Sequence, residues 1–281
     1  MVRYGFHFSI GKGLAAAVEE AARLGCTAMQ IFPGNPRGWD QKDLDPGDAA
    51  EFKRLTSVKD IRPVVIHLPY LPNLASPDKA MYRKSVDVLA GAVRKAGLIG
   101  ADYVNAHAGN AMSGERSEAL KRVARAVDAG LAADRTGKVS ILIENSAGGG
   151  TEVGCKFEDL RGILGSVKDK KRAGICLDTA HLFAGGYDLR TASAVRDTIA
   201  EFDRIVGLKY LKVIHYNDSM SDMGSLHDRH QHLGRGMIGK KGMKSLLNHP
   251  KLSGLGFIME TPKASEADDR RNLKTLKSFL K

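Results

Sequence analysis

The sequence predicts a (β/α)8 barrel, and two observations support that fold class. First, short apolar or β-branched runs alternate with longer amphipathic segments along the chain, and eight such runs are present. Second, the first run is followed by Ile10-Gly11-Lys12-Gly13, which matches neither a dinucleotide fingerprint nor a Walker loop. The alternative, an open doubly wound sheet, usually has about five to seven strands and a phosphate loop after the first one. The closed barrel is therefore favoured.

The predicted strands and helices follow one another without interruption. The strands are expected at residues 4–9, 27–32, 62–67, 102–107, 139–144, 173–178, 210–215 and 255–260. Amphipathic periodicity predicts helices at residues 13–24, 81–99, 118–133, 192–206 and 267–280. No linker rich in Pro, Gly or Ser and no low-complexity tract divides the chain. We therefore expect one domain that spans residues 1–281.

The composition argues against membrane and secreted proteins. The chain has 281 residues, of which 43% are hydrophobic and 27% are charged, as in ordinary soluble domains. It has no apolar run of the roughly 18 to 20 residues that a spanning helix needs, and it starts without the apolar stretch of a signal peptide. Cys26, Cys155 and Cys176 lie far apart, which fits a reducing compartment. We expect no membrane association and a cytoplasmic location.

The net charge of +11 points to an anionic partner without identifying it. Basic surfaces attract polyanions, and nucleic acid is the commonest polyanion in a cell. A dense basic cluster at residues 168–172 comes just before a predicted strand, which places it on the rim opposite the functional face of a barrel. We interpret that cluster as a solvated turn.

Six of the eight predicted strands end in a side chain that can bind a metal ion. The carboxyl ends of the strands in a barrel surround a single pocket, so these side chains are expected to converge. A lone histidine at a strand end is usually a packing or rim residue, but six successive strands with such an ending are not explained in that way. The six residues are His67, His107, Glu144, Asp178, His215 and Glu260.

Two local motifs add three more candidate ligands. His181 follows Asp178 by three residues, so both face the pocket if the chain enters a helix there. Asp228 and His230 are two residues apart, and in an extended segment they project from the same face. A polar surface loop is the alternative interpretation of this second motif when it is considered in isolation.

The chemistry of these nine residues predicts several metal ions. Four carboxylates crowded at one barrel mouth would repel each other unless cations neutralised them. One divalent ion needs only about four to six ligands, so nine ligands with one bridging carboxylate suit three ions. Imidazole and carboxylate without thiolate favour zinc, with manganese or iron as alternatives. A site loaded with three such ions would be positive and would attract an anion such as a phosphodiester.

The candidate ligands belong to longer motifs. These are HLPYLPNLAS at residues 67–76, ENSAG at 144–148, CLDTAH at 176–181, HYNDS at 215–219, DRH at 228–230, GRGMIG at 234–239 and METP at 259–262. They resemble endonuclease IV, a family of barrel-fold, trinuclear-zinc apurinic/apyrimidinic endonucleases of DNA base-excision repair. The resemblance implies hydrolysis of the phosphodiester on the 5′ side of an abasic site, which leaves a 3′ hydroxyl, and removal of blocked 3′ ends.

The resemblance also implies how the nine ligands are shared. The first ion would be held by His67, His107 and Glu144. Glu144 would bridge to the second ion, which is completed by Asp178, His215 and Glu260. The third ion would be held by His181, Asp228 and His230. The residues that the resemblance identifies as catalytic carboxylates are Glu144, Asp178 and Glu260.

Three further residues match positions at which the family contacts DNA. Arg37 matches an inserting arginine, and Tyr70 and Leu71 match a wedge that unstacks the lesion. Without the resemblance, Tyr70 and Leu71 would be interpreted as packing at the barrel rim. The chain departs from the family where Gly34 replaces a frequent lysine and Arg235 replaces a frequent acidic residue. The implied partner is double-stranded DNA with abasic sites or blocked 3′ ends, bound by a monomer.

Two other functions are considered. A sugar isomerase or epimerase of the related xylose isomerase-like barrels would use one or two metal ions and generally fewer histidines. His181, Asp228 and His230 disfavour it, because they supply a third site. A DNA-binding barrel without catalytic activity would be expected to have lost ligands, and none of the nine is lost.

Overall fold

The predicted barrel is present in a computed structural model, which describes residues 2–39 and 42–280. The strands are β1 (Arg3–Phe8), β2 (Met29–Ile31), β3 (Val64–His67), β4 (Tyr103–His107), β5 (Ser140–Glu144), β6 (Ala173–Asp178), β7 (Leu211–His215), β8 (Asp218–Ser219), β9 (His230–Gln231) and β10 (Gly256–Met259). Eight parallel strands close in the order β1-β10-β7-β6-β5-β4-β3-β2, and a short antiparallel hairpin, β8-β9, follows β7.

The helices surround the barrel, and several begin at an acidic residue that caps their first turn. The Asp45 and Asp78 side chains accept hydrogen bonds from backbone N–H groups in the first turns of the helices that follow them, and these groups would otherwise have no partner in the helix. Within the described residues the helices are α1 (Leu14–Leu24), α2 (Pro46–Val58), α3 (Lys79–Ile99), α4 (Arg116–Ala132), α5 (Phe157–Ser166), α6 (Thr179–Ala184), α7 (Ala192–Ile205), α8 (Gly239–Leu247) and α9 (Glu266–Phe279).

The strand register sets the height of the strand-end side chains. His107 pairs with Glu144 across β4 and β5, and Asp178 pairs with His215 across β6 and β7. All eight predicted barrel strands are confirmed, with small shifts at their ends. β10 ends at Met259, so Glu260 is the first residue after its strand and not the last residue within it. Register alone thus brings neighbouring candidate ligands to one level.

A thin apolar layer fills the barrel interior, and the larger core lies between the strands and the helices. The interior layer consists of Ala28, Val65, Leu142, Cys176, Val213 and Ile258. All three cysteines are buried and unbridged, and burial raises the pKa of the Cys176 thiol to about 12. Among the described helices, none combines the length and the apolar character needed to cross a membrane.

Candidate metal centre

The candidate ligands at the strand ends surround the buried carboxylate of Glu144. Its Oε2 lies 3.3 Å from His67 Nε2 and 3.7 Å from His107 Nε2, and its Oε1 lies 3.1 Å from His215 Nδ1. Glu144 closes β5, and the three histidines close β3, β4 and β7, so four strands contribute to this one cluster. The barrel therefore brings together residues that are up to 148 positions apart in the sequence.

Two further carboxylates extend the cluster across the pocket. Glu260 Oε2 lies 3.2 Å from His215 Nδ1, and Asp178 Oδ2 lies 3.9 Å from the same nitrogen. Asp178 also caps α6, where its Oδ1 accepts a 2.8 Å hydrogen bond from the backbone N–H of His181. The short helix α6 begins here as expected, so Asp178 and His181 both face the site.

The third group of ligands combines α6 with the hairpin. His181 Nε2 lies 3.1 Å from Asp228 Oδ2, and His230 Nε2 lies 3.2 Å from Asp228 Oδ1. Asp178 Oδ2 is 3.5 Å from His230 Nε2 and so joins this group to the previous one. Asp228 is the most accessible of these ligands, with 53% of its side chain exposed.

The nine candidate ligands have the chemistry of metal-binding residues, and eight of them also have suitable spacing. Zinc binds nitrogen and oxygen ligands at about 2.0 to 2.2 Å, so ligand atoms that share one ion are at most about 4.4 Å apart. Five sets of described side chains have ligand atoms that all lie within 4.8 Å of one another. Three of these sets overlap and together contain eight of the nine candidates, all except Asp228. These three sets are His67/His107/Glu144, Glu144/Asp178/His215/Glu260 and Asp178/His181/His230.

Backbone carbonyls orient three of the imidazoles toward the site. His67, His181 and His230 each direct Nδ1 at a carbonyl oxygen, at 2.6, 2.9 and 3.1 Å. Since a carbonyl only accepts, Nδ1 carries the proton in each ring and Nε2 is left to bind a metal. His230 Nε2 is buried and has no hydrogen bond of acceptable geometry within the described part of the chain. An ion bound by Nε2 would satisfy that atom.

Without a bound metal, protons on the histidines balance the charge of the buried carboxylates. Burial opposes ionisation of Glu144 and Glu260, but the adjacent histidines hold the pKa of both carboxyl groups well below the usual range. Burial likewise opposes charge on His230, yet Asp178 and Asp228 raise its pKa to about 9. Metal ions must displace these protons, so metal affinity is expected to weaken as the pH falls.

Four buried amides support the ligands, and sequence reasoning missed all of them. Asn105 donates a 2.6 Å hydrogen bond to Glu144, and Asn217 donates one of 2.6 Å to Asp178 while accepting from the backbone N–H of Glu260. Such contacts fix the orientation of metal-binding carboxylates. The sequence spacing could have identified two of them, because Asn105 lies two residues before His107 and Asn217 lies two residues after His215. The four residues are Gln30, Asn105, Asn145 and Asn217.

Gln30 connects two ligands through the two ends of its amide. Its Oε1 lies 2.9 Å from His215 Nε2 and accepts that proton, which leaves His215 Nδ1 free to face the carboxylates. Its Nε2 donates to Glu260 at 2.6 Å and contacts His7 Nδ1 at 3.0 Å. Gln30 is a polar residue within the otherwise apolar strand β2, a pattern that could have identified it.

Of the three predicted DNA contacts, Tyr70 lines the cleft that contains the candidate ligands, Leu71 follows it in the chain, and Arg37 lies on a loop that is hydrogen-bonded to Tyr70 through Pro36. Arg37 is exposed, Tyr70 is 66% exposed and Leu71 is 39% exposed. The Tyr70 ring lies 6.2 Å from the His67 ring. The cleft has a volume of about 620 Å³, and its lining includes Tyr70 and Asp228. Tyr70 therefore lies beside a candidate metal ligand, and the side chains of Arg37 and Leu71 are accessible.

A buried aspartate fixes the loop that contains the GRGMIG motif. Asp218 accepts hydrogen bonds from the backbone N–H groups of Gly236, Ile238 and Gly239 at 3.0 to 3.3 Å. A Cβ at Gly236 would lie 2.2 Å from the Ser219 carbonyl oxygen, so only glycine fits against the hairpin there. The motif therefore has a structural role beside the third ligand group.

Comparisons with known proteins agree with this architecture. Residues 18–281 match the family described as xylose isomerase-like TIM barrel. The chain is 41% identical to a probable endonuclease 4 of Methanosphaerula palustris, over 99% of this chain and 98% of that protein. It is 42% identical to one of Methanoculleus marisnigri, over 97% of both chains.

Comparison with solved structures distinguishes proteins that share the family from proteins that share only the fold. Endonuclease IV from Thermus thermophilus superimposes with a TM-score of 0.87 at 39% identity, over 99% of this chain and 98% of that one. A D-tagatose 3-epimerase-like protein superimposes with a TM-score of 0.74 at 21% identity, over 98% of this chain and 96% of that one, and that likeness shows the fold alone. Because the similarity to endonuclease 4 proteins spans nearly the whole of each chain, this protein belongs to the endonuclease IV family.

Proposed function

We propose that this protein is a metal-dependent apurinic/apyrimidinic endonuclease, which hydrolyses the phosphodiester 5′ to an abasic site and leaves a 3′ hydroxyl. We include blocked 3′ ends among its substrates. The observation that carries the proposal is the overlap of three ligand sets at Glu144 and Asp178, in a chain about 40% identical to endonuclease 4 proteins. The third set, around His181 and His230, is the reason to prefer DNA hydrolysis over sugar isomerisation.

We propose that the site holds three zinc ions. The ligand groups would be those predicted from the sequence, with Glu144 between the first and second ions and Asp228 completing the third group beside His181 and His230. Ions bound there would lower the pKa of a bound water and neutralise charge that develops on the phosphate.

Buried side chains of the protein hold the catalytic carboxylates of the proposal in place. Glu144, Asp178 and Glu260 are the catalytic carboxylates of the proposal, and each accepts a hydrogen bond from a buried amide side chain, at 2.6 Å in all three cases. Preorganised groups of this kind do not need to reorient during the reaction. The apolar layer beneath the ligands closes the floor of the site.

We propose that Arg37, Tyr70 and Leu71 contact DNA at the lesion. Tyr70 lines the cleft, and the exposed Leu71 and Arg37 lie on segments adjoining it, so the three side chains could enter the duplex while the phosphate lies over the ligands. Abasic steps are easily unstacked, so wedges of this kind would favour damaged over intact DNA. We further propose that residues 1–281 act as one domain, as a monomer, on DNA in the cytoplasm.

The decisive assay uses a duplex that contains a tetrahydrofuran abasic analogue. This analogue cannot undergo β-elimination, so its incision with a 3′ end that a DNA polymerase extends would demonstrate hydrolysis. Prolonged incubation with a chelator is expected to abolish incision, slowly, because protein ligands enclose the ions. An enzyme that cleaves only natural abasic sites by β-elimination would contradict the proposal, since lyase chemistry needs an amine nucleophile.

A further inference from the structure

A lysine is buried beneath the loop that carries Arg37. Lys95 lies on α3, is only 6% exposed, and donates a 3.0 Å hydrogen bond from Nζ to the backbone carbonyl of Pro33. Within the described part of the chain, this carbonyl is the one hydrogen-bond acceptor of Nζ. Burial lowers the pKa of Lys95, as expected for an ammonium group removed from water.

Folding alone does not favour a lysine at this position. The Asp43 carboxylate attracts Lys95 but does not cancel the effect of burial on its pKa. A buried cation whose hydrogen bond goes to a neutral carbonyl is less stable than an apolar side chain of similar size. The neighbours of Lys95 on the same helix, including Ala92, Val93 and Ala96, are buried and apolar. Its presence is therefore better explained by the backbone group that it holds, which is the first carbonyl of the loop.

Internal constraints in the loop at residues 33–39 connect the position of Pro33 to that of Arg37. Two of its residues are prolines, which restrict backbone rotation. The Asn35 side chain accepts a 3.0 Å hydrogen bond from the backbone N–H of Arg37, and the Asn35 carbonyl accepts one from Gly38. A displacement at Pro33 would accordingly be transmitted to Arg37.

Two other contacts connect this loop to its surroundings. Lys84, also on α3, places its Nζ 4.4 Å from the centre of the Trp39 ring. The backbone N–H of Tyr70 donates a 3.3 Å hydrogen bond to the Pro36 carbonyl. The position of the loop therefore bears on both Arg37 and Tyr70, which lie on separate segments of the chain.

We propose that Lys95 is a positioning residue, which holds the 33–39 loop so that Arg37 and Tyr70 can recognise the abasic site. The role in recognition rests on the proposed function, whereas the position of the loop does not. Trp39 is the single tryptophan in the sequence and lies in this loop, so its fluorescence reports loop position without any DNA or activity.

The test is Lys95→Met, which removes the charge and the donor. We expect acrylamide quenching of Trp39 to rise about twofold or more, because the loop is released from α3. Zinc content and Tm should not fall, since the change removes a buried cation. The ratio of Kd for intact duplex to Kd for abasic duplex should fall about tenfold or more, because stacking and insertion contacts are lost.

Two matched variants separate positioning from charge. Arg94→Met removes the same charge from the adjacent, exposed position on α3 and should leave both readouts unchanged. Lys95→Gln has the length of methionine but keeps an N–H donor, so it should recover most of the lesion preference and of the Trp39 signal.

Several results would overturn the proposal. One is unchanged Trp39 quenching in Lys95→Met, and another is an equal loss of affinity for both duplexes. A Lys95→Met variant that loses metal or does not fold would show instead that Lys95 is part of the scaffold. Equal defects in Lys95→Gln and Lys95→Met would also contradict it. If the wild-type protein showed no preference for abasic duplex, the proposed function would fail, while the quenching comparison would still decide whether Lys95 positions the loop.

Discussion

The floor and the rim of the cleft are built in different ways. At the floor, Glu144, Asp178 and His215 are fully buried at the ends of barrel strands, and the strand register sets their spacing. At the rim, Arg37 and Tyr70 are exposed on loops, and the backbone N–H of Tyr70 donates a hydrogen bond of 3.3 Å to Pro36 in the loop of Arg37. The floor therefore suits chemistry that needs fixed distances, and the rim suits contact with a deformable ligand.

This difference predicts that metal binding and lesion recognition can be impaired separately. Changes at the floor should remove ions and activity. Changes at the rim should alter DNA preference and leave the ions in place. The following experiments test that separation, from the largest expected effect to the smallest.

The largest effect is expected at Asp228. Asp228→Ala should remove one ion and nearly all incision activity, because its carboxylate faces both His181 and His230. The fold should survive, since the side chain is half exposed. Metal analysis of the purified variant and an abasic-site assay measure the two effects. Asp222→Ala changes an exposed acid of the same loop and serves as the control. A wild-type content of one ion per chain would refute the trinuclear site.

The rim variant with both Arg37→Ala and Tyr70→Ala should show the reverse pattern. Metal content should stay intact, while binding to abasic duplex weakens by a few kcal/mol, because each stacking or insertion contact contributes about 1 to 3 kcal/mol. Binding to intact duplex depends mainly on phosphate contacts and should keep its steep salt dependence. Fluorescence anisotropy with both duplexes measures the difference. Equal losses for the two duplexes would assign these side chains to structural packing.

An intermediate effect is expected from the buried amides. Asn217→Ala removes the hydrogen bonds to Asp178 and to the backbone N–H of Glu260, and it should lower metal affinity or activity by about 10- to 100-fold. Competition with a zinc-binding dye measures the affinity. Asn110→Ala, at an exposed position, is the matched control and should have no effect. Wild-type affinity in Asn217→Ala would show that the amide does not orient the ligands.

The same contrast explains what the sequence could predict. The barrel and the strand-end ligands follow from periodicity, because a parallel closed sheet brings every strand end to one mouth. The hairpin that carries His230 and the short helix that carries His181 could be placed only through their motifs. The roles of Gln30 and Lys95 could not be predicted, although each stands out as a polar residue in an apolar segment. Each role depends on partners, Glu260 and His215 for Gln30 and the Pro33 carbonyl for Lys95, that only tertiary structure brings near.

The smallest effect concerns the metal-free protein. The His230 pKa, raised to about 9 by Asp178 and Asp228, means that the charged ring stabilises the fold fully below its unfolded pKa near 6.5. This stability is lost as the pH rises through about 9. Because His181 shares the same carboxylates and opposes a second positive charge, we expect a loss on the order of 1 kcal/mol. Thermal unfolding of chelated protein should show Tm falling by a few degrees between pH 7 and pH 10.

The metal-loaded protein should lack this fall in Tm, since ions then take the place of the protons. Chelated His230→Gln should lack it too. A chelated wild type whose Tm follows the same pH profile as chelated His230→Gln would show that the ring is uncharged in the metal-free fold.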